Sequence, residues 1–97
     1  MTRRYVVRPR ARRDIEEIWT YTERRWGFDQ AERYLQELRE RIQAVAAQPG
    51  LGRPCPEVRP GYYRCAAGSH VVFYRRTDAG IEIVRILHGR MDFVRHL

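Results

Sequence analysis

The run at residues 81–92, Ile-Glu-Ile-Val-Arg-Ile-Leu-His-Gly-Arg-Met-Asp, constrains the fold of this chain more than any other stretch. Its apolar residues occupy both parities, with Ile81, Ile83 and Leu87 on one face and Val84 and Ile86 on the other. That is the pattern of a strand covered on both sides, and so of a central strand. The run 71–74 precedes it across a Thr77-Asp78-Ala79-Gly80 turn, and so short a connection makes the two an antiparallel hairpin. The strand then runs out into His88, Arg90 and Asp92, three polar residues at spacing two where a sheet gives way to a tail. Chemistry or recognition is expected to start at that edge.

Upstream, Tyr5, Val6 and Val7 form a short β-prone run that Pro9 stops, since proline donates no hydrogen bond to a ladder. From Arg10 the period becomes helical, with Ala11, Ile15, Ile18, Trp19, Thr22 and Trp26 on an inward stripe. Arg12 with Glu16 and Arg13 with Glu17 mark the solvent side as i,i+4 pairs. Gly27 breaks the period. Asp29, followed three residues later by Glu32, reads as a capping-box variant that starts a second helix. Ala31, Tyr34, Leu35, Leu38, Ile42, Val45 and Ala46 form its stripe, and Gln48-Pro49-Gly50 ends it. So short a link between the helices makes them an antiparallel hairpin. The proline- and glycine-rich stretch 51–61 is expected as a surface loop. Strands over 62–65 and 71–76, joined by an Ala66-Ala67-Gly68-Ser69 turn, complete a three-stranded meander.

The expected order is β-α-α-β-β-β over one domain, 1–97. The hairpin has to bury its stripe, and one face of the meander is the surface on offer. The result is an α+β two-layer sandwich with a mainly antiparallel four-stranded sheet. The first strand joins beside the last.

The chain carries 19 basic residues, all of them arginine, against 12 acidic ones, a net charge of +7. Codon drift in a GC-rich genome accounts for arginine-only usage better than selection does, but the excess charge still calls for an acidic partner, nucleic acid or the ribosome. Cys55 and Cys65 fit no metal or redox spacing and are expected as reduced thiols. With no signal-peptide core and no run of about 20 apolar residues for a membrane span, a cytoplasmic location is expected.

His88, Arg90 and Asp92, with Arg64 and Arg75 on neighbouring strands, line one end of the sheet in this reading. An imidazole beside guanidiniums suits acid–base work on a phosphodiester. A salt-bridged strand terminus explains the same residues and is favoured, because no nucleophile triad accompanies them and arginine is too basic to accept a proton. His70 and His88 are too far apart in sequence for a local metal motif, so no metal and no cofactor is expected. Trp19 and Tyr34 fall on inward stripes and read as core, whereas Tyr21, off the stripe, is a contact candidate. Of Tyr62 and Tyr63 one should be buried and the other available.

Trp19-Thr20-Tyr21, Arg59-Pro60-Gly61-Tyr62, Gly68-Ser69-His70, Phe73-Tyr74-Arg75 and Val84-Arg85-Ile86-Leu87-His88-Gly89-Arg90-Met91-Asp92 together resemble the ParE branch of the ParE/RelE toxin superfamily. The resemblance runs through nearly the whole chain and implies a helical hairpin on an antiparallel sheet. It implies the toxin of a type II toxin–antitoxin pair, with a ParD-like antitoxin whose acidic C-terminal segment folds on docking in a groove between hairpin and sheet. ParE-like members resemble DNA gyrase inhibitors that act by binding, and RelE-like members cleave mRNA on the ribosome. For a nuclease, Arg64 would hold phosphate on its strand, and His88 and Arg90 would belong to the basic C-terminal cluster. The chain has no lysine and no terminal tyrosine, so that carry-over is incomplete and no catalytic residue is expected.

Antitoxin contacts are expected at Trp19, Tyr21, Tyr62, Arg64 and Arg75. The tail, with Arg90, Val94, Arg95, His96 and Leu97, is expected to engage gyrase without contributing to folding, and no direct sequence-specific nucleic-acid binding is expected. Arg8-Pro9 leaves the first helix without a short capping side chain.

Overall fold

The computed structural model describes residues 4–97. A first strand, β1 (Arg4–Val7), leads into helices α1 (Pro9–Trp26) and α2 (Phe28–Ala47). A 3₁₀ turn (Pro49–Leu51) and a two-residue strand, β2 (Arg53–Pro54), follow. The meander β3 (Tyr63–Ala67), β4 (His70–Thr77) and β5 (Gly80–His88) comes next, then one helical turn, α3 (Phe93–His96). The sheet order is β1-β5-β4-β3-β2. The two-layer α+β arrangement is the expected one. The sheet has five strands instead of four because Arg53 and Pro54 pair with Arg64 and Tyr63 at its far edge. β1 runs parallel to β5, and the other pairings are antiparallel.

β5 is central, but its two faces do not run as the sequence implies. Ile83 pairs with Tyr74 and Arg85 with Phe73, so Val84 is the extra residue of a β-bulge. A one-residue insertion exchanges the faces of everything beyond it. Ile81, Ile83 and Ile86 therefore all enter the core beneath the helices, and Leu87 turns to the opposite face.

The helices begin earlier than expected. Pro9 occupies the first turn of α1, where its missing N–H is no loss. Arg8 precedes it with no side-chain cap, as anticipated. The capping box at Asp29 does not form: Gly27, at φ 95°, is the N-cap of α2, and no side chain caps that helix. Glu32 instead accepts the Trp19 indole N–H at 3.2 Å. Along α1, Arg10 rather than Arg12 or Arg13 makes the ion pairs, at 3.3 Å to Asp14 and 3.9 Å to Glu17. Trp26 leaves the stripe and is 64% exposed.

Two cores result. The larger lies between the helices and the sheet, with Leu38, Ile42 and Val45 of α2 against Val72, Tyr74, Ile81 and Ile83. The smaller lies on the back of the sheet, where Cys55, Phe73 and Leu87 are covered by Val58, Tyr62, Phe93 and Leu97. Tyr63 and Tyr62 are both half-buried, one in each core, and Tyr63 stacks on Tyr74 at 5.5 Å.

Candidate functional site

β1 ends at Val7, opposite Ile83, so past the bulge the edge of β5 away from β4 has no strand beside it. Asp14 of α1 takes that place. Its carboxylate accepts the Ile86 N–H at 2.9 Å and both Arg85 Nε (2.8 Å) and Nη2 (3.1 Å). Asp14 is 4% exposed and Arg85 9% exposed. Two ions taken out of water at this depth persist only when the geometry is good and the remaining donors are matched, and the forked pairing with the added backbone N–H meets both conditions. Neither residue stood out in the sequence analysis. The available signal was a carboxylate three residues after Ala11 and four before Ile18, on the apolar stripe itself, and an arginine interrupting an apolar strand. Each implies a buried partner for the other.

The third nitrogen of Arg85, Nη1, donates to the His96 carbonyl at 2.6 Å. Arg59 donates to the Leu97 carbonyl, and Phe93 packs edge-on against Phe73 at 4.9 Å. The tail is therefore folded back on the sheet. Val94 is 62% exposed, and Arg90, Arg95 and His96 also face solvent. Leu97 departs from the expected exposure: it is half-buried and packs against the back core.

At the end of the meander His70 and His88 are directly opposed, with ring centroids 5.4 Å apart. The Tyr34 hydroxyl sits 2.6 Å from His70 Nδ1 and accepts the Ser69 N–H at 2.9 Å. Burial, and then the neighbouring His88, push the His70 pKa below its ordinary value, partly offset by Asp14. His88 Nδ1 accepts the Arg90 N–H at 3.2 Å. All three histidines of the chain line one cleft of about 500 Å³ between α1 and the end of β5, with Tyr21, Arg85 and Met91 around them. Among the described residues, no group of three or more His, Cys, Asp or Glu is arranged to hold a metal ion. Burial, and then Glu57, raise the pKa of the buried Cys55 thiol, with Arg64 opposing, which favours its protonated form.

The residues expected at one end of the sheet do not converge. Arg64 pairs with Phe73, and Ala67, three residues further along the same strand, pairs with His70, the partner of His88. An odd spacing puts Arg64 and the histidines on opposite faces. Arg75 pairs with Glu82, towards the Thr77–Gly80 turn and so the opposite end of β5 from His88.

The expected antitoxin contacts also divide. Trp19 is half-buried against α2, edge-on to Phe28, and Tyr21 is 63% exposed. Tyr62, Arg64 and Arg75 belong to the back of the sheet. The space between hairpin and sheet is mostly filled by core, and the histidine-lined cleft beside α1 is one open groove on the surface. Exposed Trp26 and Phe28, at 64% and 59%, add apolar surface at the hairpin tip.

Comparison with known proteins follows the same architecture. The family model for the ParE toxin of the type II toxin–antitoxin system parDE matches residues 5–93. Toxin ParE1 of Mycobacterium tuberculosis is 53% identical over 98 residues, covering 100% of both chains. Toxin ParE1 of Caulobacter vibrioides is 48% identical, with 96% of each chain covered. Among solved structures, the chromosomal ParDE system from P. aeruginosa superposes with a TM-score of 0.78 over 90% of this chain and 96% of that one, at 18% identity. The toxin–antitoxin complex RelBE2 from Mycobacterium tuberculosis gives 0.69 over 91% and 99%, at 20% identity, so both structures speak to the fold. With its helical hairpin on a mixed sheet and its full-length relatives, the chain belongs to the ParE family of type II toxins.

Proposed function

We propose that this toxin acts by binding and inhibiting DNA gyrase, and that a ParD-like antitoxin with an acidic C-terminal segment neutralises it in the cytoplasm. The observation that carries the binding reading over mRNA cleavage is the placement of Arg64 and His88 on opposite faces of the sheet. General acid–base cleavage needs the phosphate-holding and proton-transferring groups within reach of one scissile bond.

Two surfaces serve the two partners in this reading. The tail offers Arg90, Val94, Arg95 and His96 to gyrase, with Leu97 as its internal anchor. Trp19 and Tyr21 on one side and Tyr62, Arg64 and Arg75 on the other meet the antitoxin, which has to pass from the helical face to the back of the sheet to reach all five. The net charge of +7 favours an acidic partner and mainly accelerates encounter, while apolar anchors hold the complex. Supercoiling by purified gyrase tests the proposal: the toxin should suppress it and the antitoxin should restore it. Undiminished supercoiling at a large molar excess of toxin overturns it.

A further inference from the structure

We infer that Arg85 is a positioning residue for the C-terminal segment: locked on Asp14, its guanidinium holds the tail in the orientation in which its exposed side chains meet their target. This rests on the reading that the tail engages gyrase. Two of the three guanidinium nitrogens are committed to Asp14, and the third reaches the His96 carbonyl at 2.6 Å. A helix of one turn does not hold itself together in water, and its last carbonyls have no partner within the helix. Arg85 supplies one. Because the bond goes to backbone, it uses no tail side chain, and Val94, Arg95 and His96 stay turned outward. At 9% exposure Arg85 has little surface to offer a partner, so its influence on binding passes through the segment it holds.

Arg59 bonds the Leu97 main-chain oxygen, but Arg59 is itself exposed, whereas Arg85 is buried against Asp14. Arg85 is the link that ties tail, strand and first helix together. Arg85→Lys separates the roles. A lysine can face Asp14 with a single ammonium, but it lacks the planar fork that serves Asp14 and the His96 carbonyl at once.

The test uses the full chain with Arg85→Lys, Val94→Ala and their combination, read by amide exchange at Leu97, whose N–H is bonded to Phe93, and by supercoiling inhibition. Arg85→Lys should leave β4 and β5 amides protected, speed exchange at Leu97, and weaken inhibition about tenfold, the worth of one charge-assisted hydrogen bond. Val94→Ala should weaken inhibition in the wild-type background and add nothing to Arg85→Lys, because residues acting through one element are not additive. Asp14→Asn with Arg85→Gln, a neutral pair of similar shape, takes the same readouts if the lysine variant melts globally. Unchanged exchange at Leu97, or additive losses of inhibition, overturn the inference. If the wild-type protein fails to inhibit gyrase, the functional proposal falls, and the exchange measurement alone decides whether Arg85 places the tail.

Discussion

The Tyr34 hydroxyl and His70 Nδ1 lie 2.6 Å apart, which joins the second helix to the turn between the third and fourth strands. Ser69 donates its N–H to the same oxygen, and the tyrosine proton has two acceptors in reach, Nδ1 of a neutral His70 and, at 3.4 Å, the Ala67 carbonyl. Burial and His88 hold the folded-state pKa of His70 below the ordinary 6.5, so the unfolded chain takes up the proton first as the pH falls. The stability due to neutral His70 is therefore fully present above about 6.5 and is lost as the pH drops from there through the folded-state value. Denaturant melts between pH 8 and 5 should show this decline, and His70→Gln should flatten it. A wild-type profile as flat as that of the variant contradicts the assignment.

The Asp14 carboxylate is the only acidic group bonded to buried Arg85 among the described residues. Asp14→Ala strands that guanidinium and the Ile86 N–H, and breaking a buried pair from one side costs about 3–5 kcal/mol. Replacing both members, as Asp14→Leu with Arg85→Met, should recover most of the loss. Equal destabilisation by the single and double changes, measured in urea, contradicts the pairing account.

Gly80 opens the fifth strand at φ 153°, and a Cβ there would strike the Arg4 carbonyl of the first strand. That neighbour is backbone and cannot swing away, so Gly80→Ala should cost about 1–3 kcal/mol in strain. The damage should be local, with first-strand amides exchanging faster and those of the third and fourth strands protected. Unchanged protection at Val6 and Val7 contradicts it.

Much of this was legible in the sequence, and the exceptions share a cause. Both helical stripes and the central strand could be read because periodicity is a local property. The bulge at Val84 could not: it exists only in the register against Phe73 and Tyr74, and it moves Ile86 and Leu87 to the faces opposite those inferred. Asp29 matched a capping pattern, but Gly27 already makes the sharp turn, and Glu32 is drawn off by Trp19. Arg53 and Pro54 join the sheet through two residues with no strand signature. The spread of the candidate site over two faces was hidden for the same reason, since the side of the sheet taken by Arg64 relative to His88 depends on pairing.

Tyr21 and His96 border the same cleft, one proposed to contact the antitoxin and the other on the tail proposed to meet gyrase. An antitoxin segment seated against Tyr21 should therefore exclude gyrase by overlap. Calorimetry should show antitoxin and gyrase competing, with Tyr21→Ala weakening antitoxin binding by about tenfold or more, as expected of an aromatic anchor. A ternary complex with both affinities intact contradicts shared use of the cleft.

The separation of Arg64 from His88 is tested most directly by presenting one preparation of the toxin, in parallel, with gyrase on relaxed plasmid and with ribosomes translating a defined mRNA. The account predicts loss of supercoiling and intact message, with His88→Ala still inhibitory. Codon-phased cuts in the message that disappear in both His88→Ala and Arg64→Ala would contradict it.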